Sequence, residues 1–179
     1  MGVYAGNIPV QEALGAVKFE KDEIQAVAHM VSMYLGVATR WDGPYKTLKD
    51  VQEAALKNPG KIGVAMGHGT LAQFASIMLA KGMGAQLRYV NIGDGAEKMA
   101  AVLGGHVETL ITPMAGLISH HRGKKLRILA SMSPERLPFS QDIPSTYEQR
   151  CKAAAYNFSA LVVAKGTPPD RIKILSDAV

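Results

Sequence analysis

Apolar and polar positions along the chain fall into blocks that switch repeatedly between a strand period and a helix period. From Ile24 to Trp41 (IQAVAHMVSMYLGVATRW) apolar residues dominate, and the β-branched and aromatic content predicts one or two buried strands rather than a helix. His29 within that run reads as a hydrogen-bonded core residue rather than a ligand or base. Asp42-Gly43-Pro44 marks a turn. Thr47 then stands where a helix needs its cap, with Asp50 three residues on as the far half of a capping box. Leu48, Val51 and Ala55 recur at helical spacing until Asn58-Pro59-Gly60 stops the element.

A strand–loop–helix pattern then repeats. Ile62 to Ala65 predicts a strand, Gly67-His68-Gly69-Thr70 a loop, and the following residues a helix with Leu71, Phe74 and Met78 on one face, ending at Gly82. Gln86 to Ile92 predicts a second strand, Gly93-Asp94-Gly95 a loop, and Ala96 to Leu103 a helix with Met99, Val102 and Leu103 inward. In the third unit a strand from Val107 to Ile111 leads to Thr112-Pro113, which opens a helix reaching His120-His121. Adjacent helical positions point about 100° apart, so these two histidines do not chelate one metal. A strand at Leu126 to Ser131, a proline-rich excursion from Met132 to Ser145, and a strand at Phe158 to Val163 follow. Thr167 and the two prolines after it signal a last helix start. Before Ile24 the pattern is weak: a short helix over Val10 to Leu14 and a charged surface segment, Lys18 to Glu23.

Strands alternating with helices imply βαβ units and a mostly parallel sheet, and ligands of such sheets bind outside the carboxyl ends of the strands. The turns at Gly67 to Thr70, Asn91 to Gly95 and Thr112-Pro113 all fall at that edge. The first of them opens a helix, so its backbone N–H groups lie at the positive end of a helix dipole and suit an anion. On its own, that stretch serves equally well as a tight βα connection in which glycine supplies only backbone geometry. Asp94 accepts from a ligand hydroxyl or amine, or simply caps the helix behind it.

Composition narrows the field. The chain has 179 residues, 47% of them hydrophobic and 20% charged, which suits one good core or one domain plus part of another. The net charge of +5 comes from cations scattered among acids. Arg122, Lys124, Lys125 and Arg127 alone cluster, without interleaved aromatics, so no nucleic-acid surface is predicted. A single cysteine, Cys151, excludes an internal disulfide and cysteine metal spacing. No run approaches a transmembrane span, and the first residues lack a basic region followed by an apolar core. The nucleophile elbow, the phosphate loop and the dinucleotide fingerprint are all absent, and no carboxylate stands beside His68 in sequence to orient it as a base for Thr70.

The order of Pro44 to Asp50, Asn58 to Ile62, the Gly67 to Thr70 loop, Asn91 to Ala96, Leu103 to Val107, Gly123 to Arg127, Ser133 to Ser145 and Gly166 to Pro169 resembles the substrate-binding proteins of tripartite tricarboxylate transporters, the Bug family. The resemblance implies a periplasmic-binding-protein-like (type II) α/β fold, doubly wound, with one complete lobe plus part of the other. Residues 1–41 and 158–179 would form the partial first lobe with its hinge strands, near Tyr34 to Thr39 and Phe158 to Val163, and residues 42–157 the second lobe. It further implies a non-enzymatic periplasmic receptor that captures a small carboxylate between the lobes and delivers it to transporter membrane subunits, with no cofactor and no metal. Its ligand-binding residues would be Gly67, His68, Gly69, Thr70, Asn91, Gly93, Asp94, Gly95 and Thr112. The chain departs from the family pattern at Met66, where a serine usually precedes the glycines; at Gln73, usually histidine; at Asn91-Ile92-Gly93-Asp94, often proline-tyrosine-lysine-glycine; and at Glu108, usually aspartate. The family's first glycine-rich βα loop is expected upstream of Gly6. Two other readings of the chain are the effector-sensing domain of a transcription regulator, which shares the architecture, and a small hydrolase using His68 and Thr70.

Overall fold

A computed structural model describes residues 2–5, 15, 23–93 and 95–179. The expected helix at Val10 to Leu14, most of the charged segment before Ile24, and Asp94 lie outside the described residues. The elements are β1 (Gly2–Ala5), β2 (Ile24–Arg40), α1 (Leu48–Lys57), β3 (Gly63–Met66), α2 (Leu71–Met83), β4 (Arg88–Asn91), α3 (Ala96–Leu103), β5 (Thr109–Pro113), α4 (Met114–Arg122), β6 (Leu126–Ser131), β7 (Tyr156–Ala164) and α5 (Pro169–Asp177). The chain divides into two units, Tyr34–Tyr156 and the pair of segments Met1–Met33 and Asn157–Val179. Both crossings from one unit to the other fall inside strands, β2 and β7.

In the larger unit the strand order is β6-β2-β5-β3-β4. β3 pairs in parallel with β4 and β5, whereas β2 runs antiparallel to both β5 and β6. The parallel sheet expected from the βαβ pattern therefore holds for β3, β4 and β5, with one reversed strand inserted beside β5. That strand is the long apolar run, which forms a single strand of 17 residues. Only Leu35 to Thr39 are buried in it; Met30 and Val31 are 48% and 42% exposed, so the expectation of a buried strand throughout is corrected to its second half. His29 is exposed and pairs with Ser32 Oγ at 3.0 Å, so it is not a core residue.

Helices cover both faces of this sheet over two apolar clusters. Leu48, Val51 and Ala55 of α1 join Val37, Val64, Ile111 and Leu129 in one, while Met114 and Leu117 of α4 join Ala38, Leu110 and Leu126 in the other. The capping box of α1 forms as its spacing predicts: the Thr47 hydroxyl accepts the Asp50 N–H at 3.2 Å, and the Asp50 carboxylate accepts the N–H of Thr47 at 2.9 Å and of Lys46 at 2.7 Å. Those donors hold the Asp50 carboxyl below its ordinary value, Lys46 N–H foremost. A carboxyl depressed in the folded state contributes stability that is present above its unfolded pKa and lost as pH falls through the folded one. Asp50→Asn is expected to lower stability at pH 7 by about 0.5–1 kcal/mol. Thermal melts of the variant and parent should converge as the pH drops below the usual aspartate range.

Two boundary expectations and one helix face are corrected. β5 extends to Pro113, so Thr112 is the last strand residue but one, paired with Gly36, rather than part of the turn that opens the next helix. Proline at that point takes φ −54° and ends the strand while serving as N-cap of α4. Thr167 does not cap α5; its hydroxyl donates to the Ala164 carbonyl at 2.7 Å, and Pro168 is the N-cap. On α2 the buried face is Ala72, Ala75, Ser76, Leu79, Ala80 and Met83, leaving Phe74 and Met78 42% and 43% exposed. Small residues, not the largest apolar ones, bring that helix against the sheet.

In the smaller unit β1 pairs antiparallel with β7, which neighbours β2, and Tyr4 stacks on Phe158 with ring centroids 6.2 Å apart. Glu23 ahead of β2 accepts the Lys165 N–H at 2.9 Å, and α5 buries no residue.

Candidate functional site

The parallel register brings the ends of β3 and β4 to one level, with Met66 opposite Asn91. The Ile92 N–H donates to the Met66 carbonyl at 3.1 Å, carrying the ladder one step into the loops. On the other side of β3, Ala65 stands opposite Leu110, and continuing that register sets Thr112 at the level of Gly67. Gly67, Asn91, Gly93 and Thr112 therefore share one edge of the larger unit.

The loops touch. A Cβ on Gly67 would lie 3.2 Å from the Gly93 carbonyl oxygen and 2.9 Å from Thr70 Cγ2, so only glycine allows this approach without displacement. Gly69 takes φ +69°, the left-handed region that other residues rarely occupy, and turns the chain into α2. His68 is exposed, and its backbone N–H donates to Asn91 Oδ1 at 3.1 Å. This bond ties the first loop to the second and uses the Asn91 carbonyl, so the Asn91 NH2 is what that side chain offers a ligand.

Internal bonds reassign two of the expected anchors. The Thr70 hydroxyl donates to the Gly67 carbonyl at 2.7 Å and so acts toward a ligand only as an acceptor. The Gly69 N–H donates to Gln73 Oε1 at 2.8 Å, which fills the place an anion oxygen would take. Thr70 is the N-cap of α2 with extended backbone and makes no capping bond through its side chain. The amides of Leu71 and Ala72, one and two residues inside the helix, have no hydrogen-bond partner among the described residues. Gln73, marked in the sequence only as a departure from the family's histidine, also stands at capping-box spacing from Thr70. In the fold its side chain reaches back one residue further than the box requires.

The second loop adds two charges. A Cβ on Gly93 would overlap the Glu97 carboxylate, so that exposed acid lies against the loop. Lys98, one residue on, is 2% exposed, a buried cation in the first turns of α3. A lysine following Glu97 in the first turn of a helix gives no periodic signal that separates it from a surface residue. Gly95 is the N-cap of α3 with φ +66°, and Asp94 lies outside the described residues. Among the described residues no group of three or more His, Cys, Asp or Glu side chains is arranged to hold a metal ion.

Residues 12–179 match the tripartite tricarboxylate transporter family receptor, TctC. The chain belongs to this family. A TctC solute-binding protein from Polaromonas, solved without ligand, shares the fold at TM-score 0.85 and 23% identity, over 98% of this chain and 61% of that one. MatC from Rhodopseudomonas palustris with bound malate matches at TM-score 0.79 and 18% identity, over 98% of this chain and 62% of that one. The UPF0065 protein in the gbd 5' region of Cupriavidus necator is 26% identical over 175 residues, covering 96% of this chain and 53% of the relative. The chain thus spans about half the length of the curated relatives it matches. Membership sets the fold as α/β of the periplasmic-binding-protein type, and the family is one of receptors for solutes.

Proposed function

We propose that this chain forms the ligand-receiving lobe, with part of a second lobe, of a periplasmic receptor that captures a small carboxylate in the cleft between lobes and delivers it to transporter membrane subunits. The observation that carries the reading is the seating of the Gly67 to Thr70 loop directly against the Asn91 to Gly95 loop at the carboxyl ends of parallel strands. That arrangement collects backbone amides, the Asn91 NH2 and the positive end of α2 at one place, with no metal or cofactor called for. Relatives of the same fold were solved with malate and with adipate bound, which favours carboxylates of this size over sugars or bases. The ligand-binding residues in this reading are Gly67, Thr70 as an acceptor, Asn91, Gly93, Gly95 and Thr112, with Asp94 on the same loop, while His68 and Gly69, whose N–H groups bond Asn91 and Gln73, hold the first loop in shape.

Chemistry argues against turnover here. A threonine nucleophile must hand its proton to a base, and the Thr70 hydroxyl hydrogen already bonds a backbone carbonyl. The loops hold and orient a ligand; they do not activate one. Glu97 beside Gly93 penalises a second carboxylate placed there and favours a hydroxyl or amine on that side of the ligand.

The test is a thermal-shift titration of the complete receptor with malate and adipate, since a ligand that binds only the folded state raises Tm increasingly, with the logarithm of its concentration, once that exceeds Kd. Asn91→Leu removes the NH2 and frees the first loop, and is expected to weaken the carboxylate by about tenfold, the equivalent of about 1.4 kcal/mol. A variant that binds as tightly as the parent would remove Asn91 from the site.

A further inference from the structure

On α2 the residues Phe74, Ile77, Met78 and Lys81 stand at i, i+3, i+4 and i+7, so they form one stripe along the helix. This is the face turned away from the sheet: Phe74, Ile77 and Met78 are 42%, 45% and 43% exposed. At the end of the stripe Gly82 lets the chain before β7 approach the helix closely, for a Cβ there would lie 2.8 Å from Cys151 Sγ. Cys151 is buried, its thiol pushed up to about 11 by burial, and its Sγ lies 3.8 Å from the Leu79 carbonyl. That anchor fixes its two neighbours in sequence, Arg150 and Lys152, at the surface beside Lys81. Arg150 holds φ +60°, a conformation that costs a non-glycine residue free energy and needs its surroundings to impose it. Met78, Lys81, Gly82, Arg150 and Lys152 line an open depression of about 580 Å³.

None of Lys81, Arg150 and Lys152 pairs with an acid among the described residues. The nearest acid in sequence, Glu148, is engaged by Arg136 Nε at 3.0 and 3.1 Å. An apolar stripe one helix wide, ending in three unpaired cations, is complementary to an amphipathic helix that carries acidic residues at one end. A bilayer would need a broader apolar face than three side chains present.

We infer that the outer face of α2 together with Arg150 and Lys152 is a docking surface for an acidic, apolar-faced helical segment of the transporter's membrane subunits. The inference rests on the receptor reading above and names the surface that reading requires. The part of the surface to be tested is separate from the ligand loops: Ile77 and Lys81 sit two and three turns along α2 from Thr70, which keeps docking and ligand capture independently measurable.

The test uses the complete receptor and detergent-solubilised membrane subunits of its transporter, with binding read by interferometry. The variant Lys81→Glu/Arg150→Glu/Lys152→Glu is expected to bind the subunits at least about tenfold more weakly than the parent, and Ile77→Ser several-fold more weakly, while carboxylate affinity measured by calorimetry stays within about twofold. The parent's affinity for the subunits should fall as salt rises. Undiminished binding by the triple variant overturns the docking surface, as does failure of the parent to bind the subunits at all. Recovery of the parent on phosphatidylglycerol vesicles lacking the subunits, abolished by the same reversal, assigns the surface to lipid and overturns it too; so does a dimer that the reversal breaks. Loss of carboxylate binding by the parent would instead reject the receptor reading, so the two failures are told apart.

Discussion

Gly67→Val in the complete receptor will weaken carboxylate binding by about 100-fold, because relieving about 3 kcal/mol of overpacking at this position forces the two ligand loops apart. The obstacle is on both sides. A Cβ meets Thr70 Cγ2 at 2.9 Å and the Gly93 carbonyl oxygen at 3.2 Å, and the second of these is backbone that no rotamer change moves away. Relief by displacing the first loop breaks the His68 N–H bond to Asn91 Oδ1 and shifts the amides at the start of α2. Displacing the loops releases much of that strain, so the thermal melt should fall less than it does for a core truncation while the calorimetric titration collapses. A Gly67→Val receptor that binds its carboxylate as the parent does would show that the contact between the loops plays no part in recognition.

The largest effect on stability is expected at Leu110. It is 0% exposed in β5, with Ala38 beside it on β2 and Ala65 beside it on β3. Both flanking residues are alanines, which have no side-chain length with which to fill a void. Leu110→Ala should therefore retain most of its cavity and cost about 3–4 kcal/mol, lowering Tm by roughly 12 °C for a unit of this size. Leu110→Met, nearly equal in volume, should cost less than about 1.5 kcal/mol. Denaturant or thermal unfolding of the two variants against the parent checks the pair; equal losses would mean that the site collapses freely or that volume does not decide there.

Local chemistry made some parts of this architecture readable in advance. The α1 capping box, the span of α3 and the order of strands and helices all follow from signals within a few residues of the element they define. The edge shared by the two loops and the end of β5 was likewise legible, because parallel strands put every βα connection on one side. Other features depended on partners far away in sequence. Which way β2 runs is decided by its pairing with β5 and β6, some seventy to ninety residues on, and nothing in an apolar run specifies direction. The inward face of α2 was misread because Phe74 and Met78 outweigh Ala72, Ala75 and Ser76 in any apolar pattern, while close packing on the sheet selects the small side chains. Gln73 and Thr70 as self-satisfying partners, and the burial of Lys98, belong to the same class: each is fixed by where a neighbouring chain segment passes. Family resemblance supplied the receptor reading, and its departures at Met66, Gln73 and Asn91 fall within or directly beside the two loops whose contact the fold displays.

Isothermal titration of the complete receptor with malate, adipate and a tricarboxylate, each set against its neutral amide analogue, tests the central claim most directly. At least one carboxylate should titrate to a single saturable site that Asn91→Leu weakens, and its amide analogue should not bind. A receptor that ignores every carboxylate yet takes up the neutral analogues, sugars or a metal ion would contradict the account.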